Sequence, residues 1–164
     1  MSLMFKVRDI LLPRLEVLKE AGIDSGFSVL DFGCGPGGYI LPLIERVGPS
    51  GKIYALDVHP LAILEVNKIA TRNGIENIET IESDGNTGLP DNGVDTVLLY
   101  DVFHDLARPN DVLREIHRVL KPGGTLSFSD HHMKPEEVIT RVTGGGMFRF
   151  VRKGKKTYSF AKTD

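Results

Sequence analysis

The sequence predicts an α/β protein built on a doubly wound, mostly parallel sheet with an antiparallel hairpin at its C-terminus. Three observations carry this. Short apolar runs alternate with segments of helical periodicity from Ser28 to about Gly144, the pattern of successive βαβ units. The first run, Val29-Leu30-Asp31-Phe32, leads directly into Gly33-Cys34-Gly35-Pro36-Gly37-Gly38, the composition of a tight turn from strand to helix. After Gly144-Gly145-Gly146 the pattern changes to two strand-like runs around Lys153-Gly154-Lys155, which read as a hairpin.

Residues 1–8 read as a loose lead-in. From Ile10 to Ala21, Leu11, Leu15 and Leu18 recur at helical spacing among charges, so an amphipathic helix is expected there, with Pro13 in its first turn and Gly22 as its stop. Ser28–Asp31 is the first strand. Tyr39–Val47 is the next helix, closed by Gly48-Pro49. Lys52–Asp57 is a strand apolar enough to be covered on both faces. Pro60 suits the first position of a helix running through Leu61–Arg72, and Asn73-Gly74 ends it. Ile78–Ser83 alternates as a third strand, Asp84–Gly93 is a turn-rich loop, and Val94–Tyr100 is the most apolar strand. A helix from about Asn110 to Leu120 stops at Lys121-Pro122-Gly123-Gly124, and Thr125–Asp130 is a fifth strand. Pro135-Glu136-Glu137 opens a short helix with acids in its first turn, favourable to the helix dipole. Met147–Val151 and Thr157–Ala161 are the hairpin strands, making seven in all.

Size and composition bound the function. At 164 residues a single domain, 1–164, is expected. A net charge of −2 gives no global attraction to nucleic acid or anionic membrane. The single Cys34 excludes an internal disulfide and a cysteine-built metal cluster. Set between two loop glycines, it reads as a small side chain that fits. No apolar run approaches the roughly 18–20 residues that span a bilayer. The first 14 residues, broken by Lys6, Arg8, Asp9 and Pro13, lack a signal-peptide core, so a cytoplasmic location is expected.

Ligands of such sheets bind beyond the carboxyl ends of the strands, and the glycine turn there suits a nucleotide-like molecule. Two cofactor readings compete. Gly33-x-Gly35-x-x-Gly38 satisfies the dinucleotide fingerprint, with Asp57 about 20 residues on. The same segment satisfies Asp-x-Gly-x-Gly-x-Gly from Asp31 to Gly37. A carboxylate beside a dinucleotide pyrophosphate would repel it, whereas it suits a ligand with an ammonium group. Asp57, ending the second strand, can accept both hydroxyls of a ribose; its structural alternative is a cap for the helix at Pro60. Asp84, ending the third strand before Gly85, can meet an adenine amino group, or can simply make an Asp/Gly turn.

The fourth strand makes the pattern specific. Asp95-Thr96-Val97-Leu98-Leu99-Tyr100-Asp101-Val102-Phe103-His104 resembles motif IV of the class I S-adenosylmethionine (SAM) methyltransferases, and Asp31–Gly37 resembles their motif I. Arg118-Val119-Leu120-Lys121-Pro122-Gly123-Gly124-Thr125-Leu126 is similar to the segment that follows motif IV in that family. Within it the chain looks most like the small-molecule branch of quinone-biosynthesis and arsenite methyltransferases, from about Gly22 to Asp130. The resemblance implies a Rossmann-like sheet of order 3-2-1-4-5-7-6 with its last strand antiparallel. It implies SAM as the cofactor, S-adenosylhomocysteine as its product, and contacts at Asp31, Gly33, Cys34, Gly35, Gly37, Asp57, Val58, Asp84, Gly85 and Tyr100. Only residues 1–27 precede the first strand, so the lid that relatives close over the cofactor is expected to be short or absent. With one cysteine, arsenite methylation is not expected.

The expected reaction is methyl transfer to a small-molecule acceptor. An alternative is a SAM-binding protein or subunit without catalysis of its own, or a methyltransferase acting on protein or RNA. A general base is needed only where the acceptor loses a proton. His104 is the first candidate, with His131 second and His132 beside it. Asp101, Asp130 and His131 resemble in placement the metal ligands of catechol-type O-methyltransferases. Mg²⁺ prefers oxygen donors, however, so no metal is expected. The basic residues Arg149, Arg152, Lys153, Lys155 and Lys156 read as the solvated tip and face of an edge hairpin rather than a nucleic-acid surface. A homodimer is left open.

Overall fold

The computed structural model describes residues 3–164, with side chains from Leu11 onward. Among the described residues, five α-helices and seven strands follow one another in the order the sequence implies: α1 (Leu3–Glu20), β1 (Ser28–Phe32), α2 (Ile40–Val47), β2 (Lys52–Asp57), α3 (Pro60–Arg72), β3 (Ile78–Glu82), β4 (Val94–Tyr100), α4 (Pro109–Val119), β5 (Leu120–Ser129), α5 (Pro135–Thr143), β6 (Phe148–Lys153) and β7 (Tyr158–Lys162). The sheet order is β3-β2-β1-β4-β5-β7-β6, with β3 to β5 mutually parallel and β7 antiparallel to both β5 and β6. This is the order the resemblance implies.

Two boundaries are corrected. The lead-in is helical from Leu3; Met1 and Ser2 lie outside the described residues. The helix tolerates Pro13 in its interior, although proline removes one backbone donor there. The segment Lys121–Gly124 is not a spacer before the fifth strand but the irregular first half of β5. Leu120 pairs with Val94, and the register then shifts before Thr125 meets Thr96. Pro122 cannot donate to the ladder, so pairing resumes only after the two glycines.

Alternation along the parallel strands divides the core between the two sheet faces. Leu30, Phe32, Val97, Leu99 and Phe128 pack with Val112, Leu113 and Ile116 of α4 and Val138 and Val142 of α5. Val29, Ile53, Ala55 and Leu98 pack with Leu18 of α1, Ile40 and Leu43 of α2 and Val66 of α3. With helices on both faces, the carboxyl ends of β1 to β5 share one edge, where the predicted site residues cluster.

The loop after β3 is tied to α4 by one carboxylate. Glu115 accepts hydrogen bonds from Thr87 N (3.0 Å) and Thr87 Oγ1 (2.6 Å), and from Arg118 Nε and Nη2 at 2.9 and 2.7 Å. The Arg118 bonds lead, with the Thr87 bonds behind them, in holding the carboxyl down to about 2. A folded pKa below the unfolded value means stabilisation that is present above pH ~4.5 and lost as pH falls through the folded value. Glu115→Gln is expected to remove about 1–3 kcal/mol at neutral pH. The difference from the parent should shrink toward pH 2 in denaturant titrations.

Candidate functional site

The turn after β1 is shaped by sterics more than by free donors. Gly33 has φ +79°, and a Cβ there would sit 2.4 Å from Val102 Cγ2, so only glycine lets β1 and the loop after β4 approach this closely. The amides of Gly33 and Cys34 both donate to Leu56 O, at 2.8 and 2.9 Å, and Gly37 N donates to Cys34 O at 3.1 Å. Gly35 N donates to Asp57 Oδ2 at 2.9 Å. These amides are therefore satisfied within the protein, and the loop offers a smooth wall. Cys34 is buried; burial first, then the charges of Asp31 and Asp57, push its thiol up to about 12. It packs the turn rather than reacting.

Asp31 differs from Asp57 in its surroundings. It is 4% exposed, no donor among the described residues pairs with it, and it lines a cavity of about 460 Å³ with Gly33, Cys34, Tyr39, Tyr100 and His131. Burial, and then the charge of Asp57, raise its carboxyl to about 7. A buried carboxylate without a hydrogen-bond partner is unfavourable until a cation meets it.

Asp57 ends β2 at a second cavity of about 280 Å³, which also touches Gly33, Val58, Ser83, Asp84, Asp101 and Leu106. Its Oδ1 accepts His59 N at 2.9 Å and its Oδ2 accepts Gly35 N. The cap-like contact weighed against a ribose role is thus present, and one lone pair on each oxygen remains. Gly33 and Asp101 line both cavities, which together make one groove along the strand ends. Asp84 and Gly85 border a further cavity of about 420 Å³ beneath α4. Asp84 is exposed, with Arg108 Nη2 3.8 Å away. Asp57→Ala is expected to weaken adenosine-ligand binding by about 1–3 kcal/mol; an unchanged calorimetric Kd would refute its role.

Parallel pairing of β4 and β5 sets Tyr100 beside Ser129, and the residues just beyond form two histidine–aspartate pairs. His131 Nδ1 lies 2.7 and 2.8 Å from the Asp101 oxygens, and His131 N donates to Oδ1 at 2.8 Å. Asp101 holds a left-handed backbone, φ +53°, a strain that clusters at functional sites. Asp101 and His131 both line the Asp31 cavity. In the other pair, His104 Nδ1 lies 2.9 Å from Asp130 Oδ2, which also accepts His104 N. The Asp130 hydrogen bond, against some desolvation, raises the His104 pKa. Burial would raise the Asp130 carboxyl, but the bonds from His104 and from His132 N outweigh it and the net shift is downward. The His104 ring stacks on His132 at 3.9 Å, and His104 lines neither the Asp31 nor the Asp57 cavity.

Among the described residues, the group that could hold a metal is His104, Asp130 and His132, whose ligand atoms lie within 4.8 Å of one another. That set differs from Asp101, Asp130 and His131, which fall into the two separate pairs. The hydroxyl of Tyr100 is bonded to Ser127 Oγ at 2.7 Å, and burial leads in pushing its pKa far upward, so the phenol is no acid–base group. Sequence reasoning missed the following roles. Pro13, Arg14 and Val17 of α1 and Lys156 from the β6–β7 turn line the Asp31 cavity, and Asp101 orients His131. The last was legible in principle, because in-register parallel strands put the residues after each strand side by side.

A model of the methyltransferase domain family matches residues 23–154. The demethylmenaquinone methyltransferase of Geobacillus stearothermophilus is 31% identical over 112 residues, which are 68% of this chain and 48% of that protein. The chain thus spans about half the length of the curated relatives it matches. A SAM-dependent methyltransferase from Aquifex aeolicus superposes with TM-score 0.78 and 31% identity, covering 91% of this chain and 87% of that one. The [4+2]-cyclase SpnF shares the fold at TM-score 0.75 and 20% identity, over 87% of this chain and 58% of that one.

Proposed function

The chain belongs to the methyltransferase domain family, and from that premise we propose that it transfers the methyl group of SAM to a small-molecule acceptor, as one domain working in the cytoplasm. The observation that carries this reading is Asp31, a buried carboxylate with no described partner, lining a cavity at the tip of β1. SAM supplies an activated methyl on a sulfonium and brings an ammonium group that such a carboxylate suits. A dinucleotide would bring pyrophosphate to the same turn, against the charges of Asp31 and Asp57. Asp57, with a lone pair left on each oxygen, is fitted to accept ribose hydroxyls, and Ser83–Gly85 borders the adenine end.

Transfer from a sulfonium is an in-line displacement, so positioning and exclusion of water do most of the work. Where the acceptor must lose a proton, His131 is the better placed base. It lines the Asp31 cavity, and Asp101 fixes its Nδ1, leaving Nε2 as the acceptor for that proton. His104 sits outside that cavity and holds the loops after β4 and β5 together through Asp130. Metal-free transfer belongs to the same proposal. Asp130 already accepts from His104 N, His104 Nδ1 and His132 N, so a metal would have to displace those bonds. Turnover is expected to be insensitive to EDTA; loss of activity restored by Mg²⁺ or Zn²⁺ would refute this part.

Binding of SAM without methyl transfer is the second reading. Calorimetry with SAM, S-adenosylhomocysteine and NAD tests the cofactor, and tight NAD binding without SAM binding would overturn the proposal. Radiolabelled methyl transfer into cell extract separates catalysis from binding. It also reports whether the label enters small molecules, protein or RNA.

A further inference from the structure

We propose that the cleft between the end of β5 and the β6–β7 turn binds an anionic group, a carboxylate or a phosphate, on the methyl acceptor; this rests on the methyltransferase reading above. In sequence the basic run 152–156 reads as a solvated hairpin tip. Topology changes that. β7 runs antiparallel to β5, with Tyr158 beside Phe128, so the turn before β7 returns to the carboxyl edge of the sheet. A cavity of about 250 Å³ lies there, lined by Ser129, His131, Lys153, Lys155, Lys156 and Tyr158 among others. It shares Ser129, His131 and Lys156 with the cavity of Asp31, so an acceptor held in one reaches the other.

Asp130 lines this cleft, and the carboxylates nearest the turn are already committed. Asp101 faces His131, and Asp130 faces His104. Glu20, at the end of α1, accepts Lys155 N (3.1 Å), Lys156 N (3.0 Å), Thr157 N (2.7 Å) and Thr157 Oγ1 (2.7 Å). No carboxylate among the described residues pairs with the ammonium groups of Lys153, Lys155 or Lys156. In a chain of net charge −2, three such cations at one cleft are a local concentration.

The turn is also fixed in place. A Cβ at Gly154 would meet Glu20 Oε1 at 2.1 Å, so a side chain there would displace the carboxylate that holds the turn to α1. The Lys153 ammonium lies 5.4 Å over the Tyr158 ring. Cations needed only to keep an edge strand from pairing would not require a turn clamped to another helix. The lysine side chains are exposed, but a turn whose backbone is already fixed loses less entropy on binding an anion. The small volume favours one anionic group over a polymer, which needs a long track of cations.

The test uses ¹⁵N-labelled protein saturated with S-adenosylhomocysteine. It is titrated separately with benzoate, phenyl phosphate and neutral benzyl alcohol while amide shifts are followed. The expected result is saturable shifts at His131 and residues 153–158 with at least one anion and none with benzyl alcohol; which anion binds identifies carboxylate or phosphate. Lys153→Glu/Lys155→Glu should weaken that binding about tenfold or more, with Lys153→Gln/Lys155→Gln intermediate and distant amides unmoved. Equal shifts with benzyl alcohol, or variants that bind like the parent, would overturn the proposal. So would a single-stranded RNA that saturates the same amides and excludes phenyl phosphate. Failure to bind S-adenosylhomocysteine at the outset is a separate result and counts against the methyltransferase reading instead.

Discussion

Asp31→Asn is expected to weaken SAM binding by roughly 2–5 kcal/mol, the scale for truncating one partner of a buried charge pair, while making the free protein more stable. The two effects have opposite signs for one reason. Burial and the neighbouring Asp57 hold the Asp31 carboxyl at about 7, against an ordinary 3.8. A folded pKa above the unfolded one means that this group favours the fold when protonated. Its contribution is lost progressively as pH rises from about 4 through 7, a difference of roughly 4 kcal/mol by linkage. The asparagine variant should gain most of that difference above pH 7, read from denaturant midpoints, and little below pH 4.

Ligand binding supplies the same test from the other side. The ammonium group of SAM favours the carboxylate form, so parent affinity should fall about tenfold for each pH unit below 7. It should fall again above pH ~8, where an α-amino group loses its proton. Calorimetry in buffers of different ionisation enthalpy should show proton release on binding near pH 6. In Asp31→Asn the acid limb should vanish. An acid limb that persists in the variant would remove Asp31 from the cofactor site.

His131→Ala should lower kcat by about 10²–10⁴-fold on an acceptor that must lose a proton, with the Kd for S-adenosylhomocysteine unchanged. Asp101→Asn is the companion variant. Asparagine tolerates the left-handed backbone at φ +53°, so the turn survives while the carboxylate that fixes the imidazole is lost. It should reproduce much of the kcat loss. His104→Ala should act differently, lowering thermal stability by loosening Asp130 and the stacked His132, with a smaller change in kcat. If the His104 and His131 variants exchange these phenotypes, the base assignment reverses. If neither lowers kcat, positioning alone carries the reaction.

Local pattern was enough for much of this protein. The run Val29–Gly38 fixes a strand, a carboxylate at its tip and a glycine turn within ten residues. Each of those properties is short-range: apolar burial, turn sterics, and the end of a strand. The same holds for Asp57 and Asp84, whose positions follow from where an apolar run stops, and for β2 and β4, whose bounds coincide with their sequence patterns. The N-terminal helix was foreshortened because only its second half carries a clean apolar stripe. The start of β5 was missed because proline and two glycines look like a stop when the partner strand is unseen.

What only the tertiary structure decided concerns residues far apart in the chain. His131 lies 30 residues from Asp101, and Glu20 lies 135 or more from the turn it clamps. Such pairs depend on strand order and register, which no local period encodes. The return of β7 alongside β5 set the Lys153–Lys156 turn, exposed as its sequence implies, at the carboxyl edge of the sheet beside the Asp31 cavity. By itself, the sequence determined the sheet, the glycine loop and the acids at the strand ends. Packing decided which histidine faces the cavity, and which cations stand beside it, because those choices rest on contacts between segments that meet only in the folded chain.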